Sequence, residues 1–500
     1  MNIRGVINSR VFHIAVLVLL AGAVYSNSLK CGFVYDDKAM ITAYDFVKDI
    51  KNLPAAFMSP TSVYGNVNYY RPLQTVSYII DYYFWGGLPA GFHFSNILFH
   101  IACVILVYLF VTLLFKNSFP AFICSALFAA HPVNVTVVTY VAGRADAMLC
   151  SFMLLCFIFY IKYRYGSGAY ASACAALVFF TAGLLTKESA MIIPFWIVFF
   201  DLYASKYTEL EEVKKKRRAL YPVFFAILAG YLVFRFAKMS FFVEGAVPPF
   251  PLKYRLITVP YNLAQYLRLM ILPNDLHVGR EPWVAVSLLD GKILVSCAVL
   301  LVSGMAVYFN RKKRKALVFG VSWFIFMIFP SLNLITPLFY TLAENWLYIP
   351  SIGLFLIAGV LVTELYERCR GKREALRKSA VIVMLLVFSA FMIILTARYN
   401  MTWKDEISLG ENTLAFNPRE FKVYNNVGVA YLGEGDLDKA EANFRKCLAV
   451  KPDTGMAYFN LYRVYMARGK KDQAIEYLNK ARKLDPGRVG ILIEKMGIRE

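Results

Sequence analysis

Apolar residues in this chain come in long unbroken runs divided by short polar stretches, not in the alternation of a half-buried strand. About eleven runs read as membrane-crossing helices: 11–29, 94–115, 119–133, 146–164, 169–186, 189–205, 219–237, 291–309, 315–330, 347–365 and 379–397. A crossing helix needs about 20 mostly apolar residues, and in lipid only a helix satisfies its own backbone within one segment. Residues 256–272 are apolar too, but Pro260, Asn262, Gln265 and Arg268 interrupt them. That stretch is predicted to be an interfacial or re-entrant helix. After Thr396 the pattern changes to short amphipathic segments, so the expected fold is all-α, a polytopic membrane bundle followed by a different helical unit.

Charge supports this and fixes an orientation. Only 17% of the 500 residues are charged and 59% are hydrophobic, although the net charge is +21; a soluble domain carries about 25% charged residues. The basic residues are not a nucleic-acid signal, because they lie in short loops between the runs, which marks the cytosolic side. With a cytosolic N-terminus these loops hold Lys116, Lys162 and Arg164, then Lys206 with Lys214 to Arg218, Arg311 to Lys315, and Arg368 to Lys378. The other side then owns loops 30–92, 131–146, 238–290 and 331–346 and the last hundred or so residues. A crossing at 256–272 would reverse every later span and put the 311–315 cluster outside. The run after Arg4 and Arg10 lacks a clear small-x-small cleavage site, so it reads as the first span and not as a signal peptide. Most of the nine cysteines sit inside apolar runs and none forms a CxxC pair, so no disulfide framework or zinc spacing is implied.

The tail repeats. Pro418, Pro452 and Pro486 are 34 residues apart, as are Tyr424 and Tyr458, Asn426 and Asn460, Tyr431 and Tyr465, Gly435 and Gly469, and Ala440 and Ala474. This is the period of tetratricopeptide (TPR) helical hairpins, each of which must stack on a neighbour to bury its apolar face. The division predicted is a transmembrane domain over 1–397, a degenerate half repeat over 398–420, two repeats over 421–488 and a cap over 489–500. Such arrays bind peptides or proteins in a concave face, which makes Asn426, Tyr431, Asn460 and Tyr465 candidate partner contacts; a purely structural cap is the alternative.

Candidate chemistry gathers in the non-cytosolic loops. Asp36 and Asp37 follow the first span, where partial desolvation and a like charge raise a carboxyl pKa and suit it to a general base; capping of the following segment is the alternative role. Arg71 precedes Pro72. His93, Asn96 and His100 share one helix face. His131 opens one polar cluster and Arg144 with Asp146 another, Lys187 and Glu188 form a third, and Glu344 stands in the last such loop. Arg71, Arg144 and Lys187 suit an anionic lipid phosphate, or snorkel to the interface. Asn134-Val135-Thr136 fits a glycosylation sequon.

In order along the chain, FVYDD at 33–37, YRPL at 70–73, the His93/Asn96/His100 face, HPV at 131–133, GRAD at 143–146, TKES at 186–189, LYIPSIG at 347–353 and Trp403 to Glu406 resemble the transmembrane and tetratricopeptide-repeat O-mannosyltransferases and their bacterial relatives. The family usually has Glu-Arg where this chain has Glu344-Asn345. The resemblance implies a GT-C-like bundle that takes a sugar from a polyprenyl-phosphate donor, with dolichyl or undecaprenyl phosphate mannose typical. An acidic residue of the first outer loop, here Asp36 or Asp37, would be the base. Donor phosphate and sugar would be held among Arg71, His93, Asn96, His100, His131, Arg144, Asp146, Lys187, Glu188 and Glu344. The acceptor would be a protein Ser or Thr. A monophosphate donor does not demand a metal, though the Asp pair leaves room for a divalent cation. The short tail points to a bacterial inner membrane with a periplasmic tail, and the endoplasmic reticulum fits the same topology. A non-enzymatic TPR scaffold and a lipid-linked polysaccharide polymerase or ligase are the other function classes.

Overall fold

The computed structural model of the chain describes residues 9–59, 69–166, 169–210, 220–238, 250–280, 283–310, 315–335, 340–369 and 373–495. The basic runs at 214–218 and 311–314 lie outside them. The described residues contain no strand and divide into two compact units: residues 1–276 with 282–401, and residues 277–281 with 402–500.

The larger unit contains α1 (Arg10–Tyr25), α2 (Pro72–Trp85), α3 (Pro89–Phe115), α4 (Ser118–Ala130), α5 (Arg144–Tyr165), α6 (Tyr170–Leu184), α7 (Ile193–Leu202), α8 (Leu220–Lys238), α9 (Leu252–Ile271), α10 (Gly291–Asn310), α11 (Lys315–Ile328), α12 (Ser351–Arg368) and α13 (Glu374–Thr402). Every predicted span carries a helix. Among the described residues, six helices are long and apolar enough to cross a membrane alone, or seven if α4 and the segment 132–138, bent by 55° relative to each other, are one span instead of a re-entrant loop. The others fall short for local reasons. The run at 189–205 begins with a tight 3₁₀ turn, Glu188–Ile192, which leaves α7 only 10 residues, and α12 ends on Glu364, Glu367 and Arg368. Residues 256–272 are helical within α9, with Pro260 inside, and bury Thr258, Asn262, Tyr266 and Leu269 along one stripe.

The centre is aromatic. Trp323 lies 5.3 Å from Phe110, 5.4 Å from Trp196 and 5.7 Å from Phe157, joining α3, α5, α7 and α11. Beside it α11 and α12 touch backbone to backbone at Gly320 and Gly353, where an added Cβ on either would meet the other's carbonyl; small residues allow such approach where helices pack in lipid. Large apolar side chains of α10 and α13, such as Leu294, Val302, Phe309, Val383, Leu386 and Phe391, point outward, as lipid-facing side chains do.

α2 did not stand out in the sequence. Pro72 starts it and Gly86, at φ +60°, ends it, but its faces are inverted: Gln74, Thr75, Ser77 and Asp81 are buried while Tyr83, Phe84 and Trp85 are exposed.

The smaller unit is a stack of hairpins: α14 (Glu406–Phe416), α15 (Phe421–Glu434), α16 (Leu437–Val450), α17 (Gly455–Ala467), α18 (Lys471–Leu484) and α19 (Pro486–Lys495). Thr413, Cys447 and Ala481, 34 apart, are each fully buried, so α14 packs in register with the second helices of the two repeats. Phe444 fills the space that the missing side chain of Gly428 leaves. Within the same unit His277 stacks on Phe416 at 5.1 Å, and Asn417 donates to the Gly279 carbonyl.

Candidate functional site

Several of the residues singled out in the sequence, Asp37, Arg71, Asn96, Asp146, Lys187 and Glu188, lie on chain segments tied to one another. The first carries the two aspartates, and the backbone separates them. Tyr35 sits at φ +55°, a left-handed conformation that costs a non-glycine residue about 1–2 kcal/mol and so is held by its surroundings. Beyond it Asp36 is exposed and Asp37 is fully buried. Asp37 accepts the Ala142 N–H at 2.7 Å and the Val34 N–H at 3.3 Å. It makes no side-chain cap to the π-helical turn Lys38–Thr42, so its role differs from the capping alternative. Burial pushes its carboxyl up to about 8; the backbone N–H groups pull the other way and the Asp36 charge adds to the rise. Asp36 lies within electrostatic reach of the Tyr140 hydroxyl, whose ring lies against Tyr35.

The second segment, 138–146, is drawn in by backbone as well. Gln74 donates to the Ala142 carbonyl, and Asn96 to the carbonyls of Val138 and Tyr140. The start of α2 joins the fourth segment through Leu73 N–H and the Leu185 carbonyl. Lys187 there bonds Asp146 at 2.5 Å, and Asn345, from the fifth segment, bonds the other oxygen of Asp146 at 3.2 Å. Arg71 pairs with Glu188 at 3.0 Å, and Arg235 approaches the second oxygen of Glu188 at 3.9 Å. Burial works to raise the Glu188 carboxyl, but the two guanidiniums hold it below its ordinary value. Tyr78 lies within electrostatic reach of Asp37, Arg71 and Arg144 at once, which links the aspartate segment to the cationic cluster.

Several sequence candidates have structural bonds instead of an open face. Arg144 is fully buried and all three of its nitrogens are engaged: with Asn96 at 2.6 Å, Ser77 at 3.1 Å, the Phe92 carbonyl at 2.9 Å and Asp81 at 2.6 Å. Asp81 went unnoticed in the sequence, although a carboxylate amid apolar residues was the available signal. His100 bonds Tyr348 and the Ala129 carbonyl. His131 donates to the Met270 carbonyl and accepts from the Val133 N–H. Glu344 accepts from Tyr399. His93 is buried, with electrostatic contact to the Gly32 backbone. Asn134 is buried and donates to Phe128, so its sequon is inaccessible. In the tail, Tyr431 bonds Glu411, Tyr465 bonds Glu441, and Asn460 bonds Asn425, all contacts between neighbouring helices; Asn426 is exposed. Among the described residues no group of three or more His, Cys, Asp or Glu is placed to hold a metal, and both oxygens of Asp37 are engaged by backbone.

Two matches to known families coincide with this arrangement. Residues 62–242 match the model of the dolichyl-phosphate-mannose-protein mannosyltransferases, and residues 419–486 match the tetratricopeptide repeat. The chain is also 25% identical over 517 residues to human Protein O-mannosyl-transferase TMTC3, covering 96% of this chain and 56% of that protein. Drosophila melanogaster Tmtc3 is 24% identical, covering 88% of this chain and 55% of the relative, and human TMTC1 is 26% identical, covering 89% and 56%. The resemblance to the transmembrane and tetratricopeptide-repeat O-mannosyltransferases thus extends along nearly the whole chain, and the chain is an integral, multi-pass membrane protein. It spans about half the length of these relatives. Among solved structures, the Archaeoglobus fulgidus oligosaccharyltransferase in its apo form aligns over 78% of this chain and 56% of its own at a TM-score of 0.47 and 13% identity; that archaeal enzyme, AglB, in complex with an inhibitory peptide and a dolichol-phosphate aligns over 82% and 59% at 0.48 and 12%.

Proposed function

We propose that this chain is a GT-C-type glycosyltransferase that moves a sugar, in the first instance mannose, from a polyprenyl-phosphate donor to Ser or Thr hydroxyls of proteins on the non-cytosolic face, with the TPR tail recruiting the acceptor. The observation that supports this reading is the Tyr78 side chain, which lies within electrostatic reach of Asp37 on the aspartate loop and of Arg71 in the half-buried cationic cluster with Glu188, Lys187 and Asp146. The acceptor oxygen attacks the anomeric carbon as the bond from that carbon to the phosphate breaks, and the lipid phosphate leaves. Asp36 takes the hydroxyl proton, because it is the carboxylate of the pair that solvent and substrate can reach. Asp37 holds the loop that presents it. Arg71 and Lys187, kept in place by Glu188 and Asp146, meet the charge that grows on the departing phosphate. With one base and no nucleophilic side chain, the anomeric carbon inverts, by analogy with the glycosidases.

The first test is mass spectrometry of glycopeptides from cells with and without the gene; hexose on Ser or Thr that depends on the gene supports the reading. The second is Asp36→Asn. Loss of a general base costs about 10²- to 10⁴-fold in rate, with thermal stability unchanged because the side chain is exposed. Full transfer activity in well-folded Asp36→Asn and in the double Asp36→Asn/Asp37→Asn variant would remove the mechanism.

A further inference from the structure

α2 is built inside out for a helix in an aqueous loop. Its covered face is polar: Gln74, Thr75, Ser77 and Asp81 are buried. Its open face is apolar and aromatic: Ile80, Tyr83, Phe84 and Trp85 are exposed, Phe84 to 70%, and Leu88 follows in the turn to α3. Water would there meet the kinds of residue that ordinarily fill a core, while the polar side chains that water could solvate face the protein. A helix lying between protein and lipid has this inversion, because polar groups at membrane depth turn to the protein interior. The run Tyr83-Phe84-Trp85 also has the composition of a membrane boundary, where amphipathic rings settle at headgroup level.

α3 shows where that boundary lies. Its exposed side chains Phe94, Leu98 and Leu109 share one face of a 27-residue helix that is apolar enough to cross a membrane. α2 lies along the beginning of this helix. Asp81 accepts the Ser95 hydroxyl at 2.6 Å, and the Trp85 and Phe94 rings meet edge to face at 6.0 Å. The open face of α2 therefore continues onto the outward face of α3. At 1.5 Å per residue α3 is about 40 Å long, against a hydrocarbon core about 30 Å thick. With the excess shared between its ends, the first two turns of α3, with Phe94 and Ser95, stand at the edge of the hydrocarbon. α2 is bonded at that level.

We propose that the face formed by Ile80, Tyr83, Phe84, Trp85 and Leu88 docks on the lipid bilayer, among the headgroups and upper acyl chains of the non-cytosolic leaflet. α2 is then an interfacial helix and not part of an aqueous loop. The occupant is lipid, and not a second chain, because the face runs without a break onto the outward face of a spanning helix. The consequence is positional. α2 starts beside Arg71 and carries Tyr78, so its depth in the leaflet sets the height of the Arg71–Glu188 pair above the hydrocarbon. The proposal does not depend on the transfer chemistry and can fail without it.

The test uses the full chain reconstituted in dioleoyl phosphatidylcholine vesicles and reads tryptophan emission. Of the six tryptophans, Trp196, Trp323 and Trp403 are buried and Trp85 is 40% exposed. The difference between wild type and Trp85→Phe isolates Trp85 as the reporter. Docking predicts that this component is lost when the vesicles carry phosphatidylcholine brominated on the acyl carbons nearest the headgroup, and is lost less when the bromines sit at the chain ends. Tyr83→Trp in the Trp85→Phe background moves the reporter along the same face and should give the same order. Stronger loss to bromines at the chain ends would put α2 deep in the core and overturn the interfacial placement. No loss to either bromolipid would overturn the docking, and aqueous iodide then tells what covers the face: water if iodide quenches the component, protein (a second copy or an acceptor) if it does not. None of these results touches the transferase reading, which Asp36→Asn tests on its own.

Discussion

Arg144 is the residue on which sequence and structure lead to opposite experiments. In the sequence it is a cation at the membrane boundary, suited to a phosphate. In the structure it lies at 0% exposure, paired with Asp81, which is itself 6% exposed, and donating to Asn96, Ser77 and the Phe92 carbonyl. Removing one partner of a buried pair costs about 3–5 kcal/mol, because the other charge stays buried and alone. Arg144→Met should therefore destabilise the chain by about that amount, seen as lower yield and an earlier thermal transition in detergent. Asp81→Leu should do the same. Combining them removes both charges and so the lone buried ion, and what remains are neutral groups that lose a partner, the acceptors of Asn96, Ser77 and Phe92 and the Ser95 hydroxyl, at about 1–3 kcal/mol for a buried group left unsatisfied. The double variant should then be more stable than the sum of the single losses predicts, by about 2 kcal/mol or more, as residues in one network do. Because Arg144 faces the protein on every side, the double variant should also keep a donor KM within about threefold of wild type, equivalent to well under 1 kcal/mol of binding. Additive single effects would show that Arg144 and Asp81 do not depend on each other. A stable double variant with donor affinity reduced tenfold would show that Arg144 touches the phosphate.

Two further outcomes follow from the packing and the buried acid. Asp37 binds its proton up to about pH 8 in the folded chain and, unfolded, only up to about 3.9. The folded state therefore holds the extra proton between these values, and this group's contribution to stability falls as pH rises from about 4 to 8; Asp37→Asn, which stays neutral, should flatten the pH dependence of the thermal transition in that window, and an unchanged slope would refute the assignment. Gly353→Ala would drive a methyl into the Gly320 carbonyl, so overpacking should cost about 1–3 kcal/mol in detergent thermal unfolding, whereas Gly304→Ala, with open space around it, should be close to neutral.

Much of the architecture was legible because it depends on periodicity and composition. Lipid forces each long apolar run into a helix, and the 34-residue spacing repeats because each hairpin repeats its buried contacts. Pairings were not legible, because they are set by segments far apart in the chain. Lys187 and Asp146 were both noticed, yet nothing in either segment says that they bond. α2 was invisible for a related reason: its buried face carries Gln74, Ser77 and Asp81, whose partners include Ala142, Arg144 and Ser95 from other segments. Arg235 was hidden inside a run read as lipid-crossing. A single guanidinium in such a run was the signal, and its weight appears only once Glu188 and Arg71 are seen beside it.

The aspartate pair shows why adjacency in sequence says little about role. Two identical side chains, one peptide apart, would have similar environments in an extended loop. Here the left-handed turn at Tyr35 and the short π-helical turn after Asp37 send one inward and one outward. Burial then makes Asp37 hard to ionise, while Asp36 stays exposed to water. Environments that push two neighbouring acids apart are how one chemical group serves two purposes. A carboxylate that takes protons from an acceptor must be reachable, which describes the exposed Asp36. A carboxyl that anchors a loop by two backbone N–H groups must be enclosed, which describes Asp37. The strain at Tyr35 is the physical cost of that division, and relaxing it would turn both acids towards solvent and release the Ala142 loop that the rest of the site is built on.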